Sequence, residues 1–127
     1  MYTVFVYGTL RTGASNAFRM SGATSMGAAK VTARLYRVHE QFPGIVLSEN
    51  LDDVLVGEVF TDVSAGQMQA LDIYEGCDAE LPESEYLYRR VKTKARRESG
   101  ELVEVFLWEY IRETNEADRI LSGDWLA

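Results

Sequence analysis

A glutamate at position 75 and a glycine-containing loop at positions 7–10 are the residues of this chain whose type and spacing best suit them to chemistry. Ser64 with Gln67 three residues on is a capping-box pattern, which fixes a helix start and therefore its phase. From that start Met68, Leu71 and Glu75 fall at i, i+3 and i+7, with Asp72 beside them at i+4. A carboxylate on an apolar stripe is costly unless it is paired, hydrogen-bonded or exposed to a cavity. The same spacing also allows the helix to fray at Gly76, a natural C-terminal stop, with Glu75 turned to solvent. The second feature is Tyr7-Gly8-Thr9-Leu10, where an apolar strand breaks into a loop. Gly8 permits a sharp turn, and successive backbone N–H groups in such a turn can converge on an anion such as a carboxylate. An ordinary strand exit has the same composition.

The elements that must position these groups are mostly strands. Tyr2, Val4 and Val6 on one face and Phe5 and Tyr7 on the other make the first strand apolar on both sides, as in a strand buried within a sheet. The small-residue stretch from Gly13 to Ala29 has no clear period and reads as loop with a short helical turn. Further strands are expected at Ala28–His39, Gly44–Leu47 and Val54–Thr61, then the helix over Ser64–Tyr74. Tyr86–Arg97 and Glu101–Tyr110 read as a hairpin about Glu98-Ser99-Gly100, and Asn115–Leu121 closes with a short helix. No repeat, linker or low-complexity tract interrupts the chain, so any site is assembled from distant segments of a single domain over residues 1–127.

Several residues resemble a known family. Tyr7-Gly8-Thr9-Leu10-Arg11, with Gly13 and Asn16 following, resembles the YGTL(R/K)xGxxN signature of the gamma-glutamylcyclotransferase-like superfamily, which includes the AIG2-like proteins and gamma-glutamylamine cyclotransferase. Leu71-Asp72-Ile73-Tyr74-Glu75-Gly76 is similar to the family's LDxxE segment, and Tyr88-Arg89 to the segment that follows it. Ile120-Leu121-Ser122-Gly123-Asp124-Trp125 resembles its Ile-x-x-Gly-Asp-Trp ending. The matches come in the family's order and span nearly the whole chain. The resemblance implies an α+β fold, a small mixed β-barrel with one or two packed helices and a cavity at its open end. It implies Glu75 as general acid/base and the backbone of Gly8, Thr9 and Leu10 as the holder of a substrate carboxylate. The reaction implied is release of 5-oxoproline from a gamma-glutamyl amine or small gamma-glutamyl peptide, without a cofactor. A member that keeps the cavity as a small-molecule binding module, without turnover, is the alternative from a different class. A third is a different small acidic substrate with Glu75 still acting as base.

Other residues have plainer readings beside functional ones. Tyr7, Tyr88 and Tyr110 can place hydroxyls in a cavity, although tyrosine is a frequent strand residue and core packing suits Tyr88 and Tyr110 equally. Asp72 is expected to orient its neighbours by hydrogen bonding. Phe42-Pro43-Gly44 forms either a turn or a pocket wall. Cys77 has no histidine near it in sequence to act as base, so it is not read as a nucleophile. Arg90, Lys92, Lys94 and Arg96 alternate on one strand face, the pattern of a solvated face guarding a sheet edge. The loop from Gly76 to Pro82, with Asp78, Glu80 and Glu83, tilts against a strongly anionic leaving group such as that of glutathione. The Ala-, Ser-, Gly- and Met-rich stretch from Thr12 to Met26 departs from the more polar loop expected of the gamma-glutamylamine branch.

Bulk properties bound the partners. The 127 residues suffice for a core without disulfides or a structural metal. A net charge of −7 argues against a broad nucleic-acid or anionic-membrane surface. No apolar run reaches the ~18 residues of a membrane span, and the first residues lack the organisation of a signal peptide. One cysteine forms no internal disulfide, which fits a cytoplasmic setting. One histidine, His39, and one cysteine make a zinc site improbable. Oligomeric state is not written in these patterns.

Overall fold

The computed structural model describes residues 1–39, 41–77 and 79–127. Among them, six strands form one sheet in the order β3-β2-β4-β1-β6-β5, comprising β1 (Tyr2–Val6), β2 (Thr24–Val38), β3 (Phe42–Leu47), β4 (Val54–Val63), β5 (Tyr88–Arg97) and β6 (Leu102–Tyr110). A further antiparallel pairing of Ala29 and Lys30 with Arg97 and Arg96 joins β2 to β5, so five of these strands close into a barrel and β3 extends from β2. The helix α1 (Ala65–Tyr74) packs outside it. The fold is thus the expected α+β barrel.

β1 explains why the barrel holds. It lies between β4, antiparallel, and β6, parallel, and its two faces feed two different apolar clusters. Phe5 and Tyr7 join Val31, Leu35, Leu55, Val59, Ala95, Val105 and Leu107; all five barrel strands contribute, so this cluster fills the interior. Val4 and Val6 face the other way, against Met68 and Leu71 of α1 together with Phe60 and Trp108. The two-sided apolarity of the strand is therefore the signature of a segment with the barrel core on one side and a helix on the other.

The helix begins where the cap predicts. Ser64 accepts a hydrogen bond from the Gln67 backbone at 3.1 Å. Only half of the capping box forms, however. The Gln67 amide donates to the carbonyls of Arg19 (3.0 Å) and Ser21 (3.2 Å), so it pins the preceding loop to the helix. At the far end Gly76, with φ +80°, donates its N–H to the Ile73 carbonyl, while Cys77 donates to that of Asp72. This pair of bonds is a Schellman motif, and it stops the helix at Glu75 without fraying.

Two expectations require correction. The stretch up to Ala29 is not all loop: β2 begins at Thr24 and pairs with β4 from Thr24↔Thr61 onward, with a register shift at Gly27. Tertiary pairing there overrides the weak strand propensity of Ser, Gly and Ala. The basic run on β5 does present Arg90, Lys92, Lys94 and Arg96 to solvent, but β5 is not a free edge along its length, because its C-terminal end closes the barrel against β2.

A polar clasp behind the barrel links three segments. Asp53, buried before β4, accepts from the Ser48 hydroxyl (2.6 Å), Arg34 (2.8 Å) and Arg119 (2.7 Å). The Ser48 hydrogen bond and then the Arg34 guanidinium hold its carboxyl down at about 2, against an ordinary 3.8. A folded-state value below the unfolded one gives stability that is present above about pH 4 and lost as pH falls toward 2. Melting temperature followed from pH 6 to pH 2 is expected to fall more steeply in this window for wild type than for Asp53→Asn, which starts lower; parallel curves would contradict it.

Candidate active site

The C-terminal end of β1, its following loop and the C-terminal end of α1 meet at one cavity of about 300 Å³. Its lining includes Tyr7, Gly8, Thr9 and Leu10 from the loop side, Tyr74, Glu75 and Gly76 from the helix, and Tyr88 and Leu87 at the start of β5. His39, Phe42 and Pro43 supply a further wall, with Trp108, Val6 and Phe5 beneath. Six of the seven residues expected at a site therefore line this cavity. Tyr110 does not: its hydroxyl hydrogen-bonds His39 Nε2 at 3.1 Å, and its ring packs edge-on against those of His39 and Tyr88. It supports the wall from behind.

Glu75 caps α1 with its backbone N–H on the Leu71 carbonyl, and its side chain faces the cavity. Burial, and then the neighbouring charge of Asp72, push its carboxyl up from 4.5 to about 7. A carboxyl with that value is present in both protonation states near neutral pH. Asp72 behaves as an orienting group. It accepts from Trp108 Nε1 at 2.9 Å, pairs with Arg90 at 3.1 Å and takes a long contact from the Cys77 thiol at 3.8 Å. Burial, then the charges of Asp72 and Glu75, raise the Cys77 thiol to about 11, which leaves it protonated and a poor nucleophile.

The loop opposite is held through the carbonyls of Gly8 and Thr9 and the Thr9 hydroxyl. Among the described residues, loop and turn hydrogen bonds use the carbonyls of Gly8 and Thr9, from Arg11 and Asn16, but not the N–H groups of Gly8, Thr9 or Leu10. The Thr9 hydroxyl accepts from Asn16 Nδ2 at 3.1 Å and meets the Tyr74 hydroxyl at 3.2 Å, which ties loop to helix. Gly8 is required by close approach: a Cβ there would lie 2.6 Å from Pro43 Cγ. Phe42-Pro43-Gly44 is accordingly a wall and the start of β3, not an isolated turn.

The tyrosines are structural donors. Tyr7 gives its hydroxyl proton to the Trp108 carbonyl at 2.8 Å, and Tyr88 gives its own to the Pro43 carbonyl at 2.7 Å. Burial, then the Glu75 charge, raise both phenols, so both remain neutral donors.

Glu58 was not singled out by sequence reasoning, yet it anchors the loop. It accepts from the Thr12 N–H (2.7 Å), the Thr12 hydroxyl (2.6 Å) and the Ser25 hydroxyl (2.6 Å). Burial opposes its ionisation, but these hydrogen bonds outweigh that and keep it below the usual carboxylate range. The available signal was a charge inside the apolar run Val54–Phe60. Arg11 likewise reaches Asp124 at 2.7 Å, joining the loop to the C-terminal segment. Of the acidic residues expected near the leaving group, Asp78 lies outside the described residues, and Glu80 and Glu83 are exposed. Among the described residues no cluster of three His, Cys, Asp or Glu side chains is arranged to hold a metal ion, and no helix is long and apolar enough to cross a membrane.

Comparison with solved structures places this architecture. An uncharacterized protein from Pyrococcus horikoshii superposes with a TM-score of 0.69 at 25% identity, over 98% of this chain and 90% of that one. An AIG2-like protein from Mus musculus gives 0.71 at 21% identity, over 91% and 81%. YkqA from Bacillus subtilis gives 0.74 at 19% identity; it covers 98% of this chain, which spans only 39% of YkqA. No curated protein matches the sequence at a significant level. The family model described as gamma-glutamyl cyclotransferase, AIG2-like, matches residues 4–127. A match of that extent, on the barrel and loop just described, makes the chain a member of the gamma-glutamyl cyclotransferase, AIG2-like family.

Proposed function

We propose that the protein is a cofactor-independent cyclotransferase that releases 5-oxoproline from a gamma-glutamyl amine or small gamma-glutamyl peptide, with Glu75 as general acid/base. The observation that carries this reading is a buried carboxyl, raised to about 7, that lines the same cavity as the Gly8, Thr9 and Leu10 loop. Such a loop suits the α-carboxylate of a gamma-glutamyl group, and the substrate brings its own nucleophile, the α-amine. Bound in a folded conformation, the amine lies close to the γ-carbonyl, and orientation supplies much of the acceleration.

The step balances without water or metal. Glu75 takes a proton from the α-ammonium, the freed amine nitrogen bonds to the γ-carbon, and the amide C–N bond breaks. The two protons lost by the attacking nitrogen pass to the departing one, one of them through Glu75, and the amine leaves as an ammonium ion. Tyr7 and Tyr88 act here as wall, since both hydroxyls already have acceptors. A free thiol at Cys77, protonated and unreactive, suits work in the cytoplasm.

The test is 5-oxoproline release by purified protein from gamma-glutamyl amines, gamma-glutamyl amino acids and glutathione. Turnover of any member supports the reading. Silence across the panel from folded protein would overturn it in favour of a small-molecule binding module.

A further inference from the structure

Among the described residues, the side-chain hydroxyls of the cavity lining belong to Tyr7, Thr9, Tyr74 and Tyr88. Those of Tyr7 and Tyr88 are engaged by the fold, on the carbonyls of Trp108 and Pro43. The other pair meets only itself and Asn16: Thr9 Oγ1 lies 3.2 Å from the Tyr74 hydroxyl and accepts from Asn16 Nδ2 at 3.1 Å. Arg19 Nε, 3.5 Å from Asn16 Oδ1, orients the amide so that its nitrogen faces Thr9. Counting protons then leaves a remainder. Each hydroxyl carries a proton, the hydrogen bond between them uses a single one, and Asn16 brings its own. The other hydroxyl proton meets no carbonyl or carboxylate among the described residues.

Donor strength decides which oxygen keeps it. A phenol donates more strongly than an aliphatic alcohol, and an oxyanion formed during reaction accepts more strongly than either hydroxyl oxygen. Thr9 therefore donates to the Tyr74 oxygen, and the phenol proton is left for a ligand. Asn16, Thr9 and Tyr74 then donate in one direction, and such a chain is polarised toward its end. The Arg19 guanidinium, 4.2 Å over the Tyr74 ring, holds that ring in place. Tyr74 directly precedes Glu75 at the end of α1 and its hydroxyl reaches the Gly8–Leu10 loop, so it bridges the groups between which a glutamyl moiety would lie. Resting on the cyclotransferase reading, we propose that Tyr74 is a second catalytic residue whose hydroxyl donates to the γ-carbonyl oxygen as that oxygen becomes an oxyanion, with Thr9 and Asn16 as positioning residues behind it. When the α-amine nitrogen bonds to the γ-carbon, the carbonyl π pair moves onto oxygen and meets the phenol proton. When the amide C–N bond breaks, the pair returns to the carbonyl, and Tyr74 keeps its proton throughout. A donor aimed at charge that develops only in the transition state acts on kcat rather than KM.

Tyr74→Phe keeps the ring under Arg19 and removes only the hydroxyl. On any gamma-glutamyl compound that wild type turns over, its kcat for 5-oxoproline release is expected to fall about 100-fold with KM within about threefold. A hydroxyl that merely tied loop to helix would instead raise KM and leave kcat. That result, or a kcat within about threefold of wild type, would overturn the proposal and leave the cyclotransferase reading intact. Thr9→Val should lower kcat about tenfold in wild type but less than about twofold in the Tyr74→Phe background, because it acts through the phenol. Losses that multiply would overturn the chain. If wild type releases no 5-oxoproline, titration calorimetry decides separately with the methylphosphinate analogue of glutamate, whose tetrahedral anionic phosphorus stands in for the attacked γ-carbon. Binding weaker by about 30-fold in Tyr74→Phe retains the donor without the reaction, and equal or absent binding overturns both.

Discussion

Glu75→Gln is expected to lower kcat/KM for 5-oxoproline release by about 10²- to 10⁴-fold and, at the same time, to make the protein more stable above pH 7. Both effects have one cause. Burial and the charge of Asp72 raise the carboxyl from 4.5 to about 7, so the group that exchanges protons near neutrality is also the one the fold ionises reluctantly. A folded-state value above the unfolded one gives stability that is complete below about pH 4.5 and is lost as pH rises through 7. The loss is up to about 3 kcal/mol, at 1.4 kcal/mol per unit. Glutamine keeps the shape and removes the titration, so its stability curve is flat where that of wild type declines. Wild-type kcat/KM is expected to rise tenfold per pH unit on the acid side and bend near 7. Urea unfolding at pH 5 and pH 8, with a pH–rate profile, tests the pair. A variant that keeps a tenth of the activity, or an acid limb that bends near 4.5, would remove Glu75 from the chemistry.

The features legible in the sequence were those carried by local periodicity. Alternation on both faces of β1 identified a strand buried between two apolar layers, and Ser64 set the phase that brings Glu75 onto the stripe of Met68 and Leu71. The open question, whether Glu75 turns to solvent, was resolved by the bonds at Gly76 and Cys77 that end the helix cleanly. What was not legible depends on partners distant in the chain. Glu58 stands as a charge inside the apolar run Val54–Phe60, but nothing nearby in sequence names its partners; its role emerges only when Thr12 and Ser25 are brought to it. Thr24 to Ala29 is too poor in β-branched and aromatic residues to signal a strand, and β4 imposes the conformation. Phe42-Pro43 reads as a turn because proline is rare in central strands, yet β3 is at the sheet edge, where proline is tolerated. Tyr110 lies one face away from the cavity it was expected to enter, and local pattern does not reveal how β6 turns relative to His39.

Gly123→Ala is expected to lower stability by about 3–5 kcal/mol and to weaken substrate binding at a site it does not touch. Gly123 sits at φ +68°, and a Cβ there would fall 1.8 Å from the Val54 carbonyl oxygen, a backbone atom that cannot swing aside. The segment must therefore lift away. Doing so breaks the bond from the Val56 N–H to the Gly123 carbonyl (2.7 Å) and strains that from the Ile120 N–H to the Leu35 carbonyl (2.8 Å). It also moves Asp124, whose carboxylate holds Arg11 directly after the Tyr7–Leu10 loop. The Gly-Asp-Trp ending is in this sense a latch: Gly123 allows contact with β4, Asp124 fastens the loop, and Trp125 packs beside the barrel core under the Arg37 guanidinium. Asp124→Ala separates the two consequences, because it releases Arg11 and leaves the backbone contact intact. It should cost about 1–2 kcal/mol and act mainly as a rise in KM. Thermal unfolding with steady-state kinetics on both variants checks this ordering. A Gly123→Ala protein that melts within 2 °C of wild type, by the scaling of about 2–8 °C per kcal/mol, would mean that the segment yields freely and that the latch does not hold the loop.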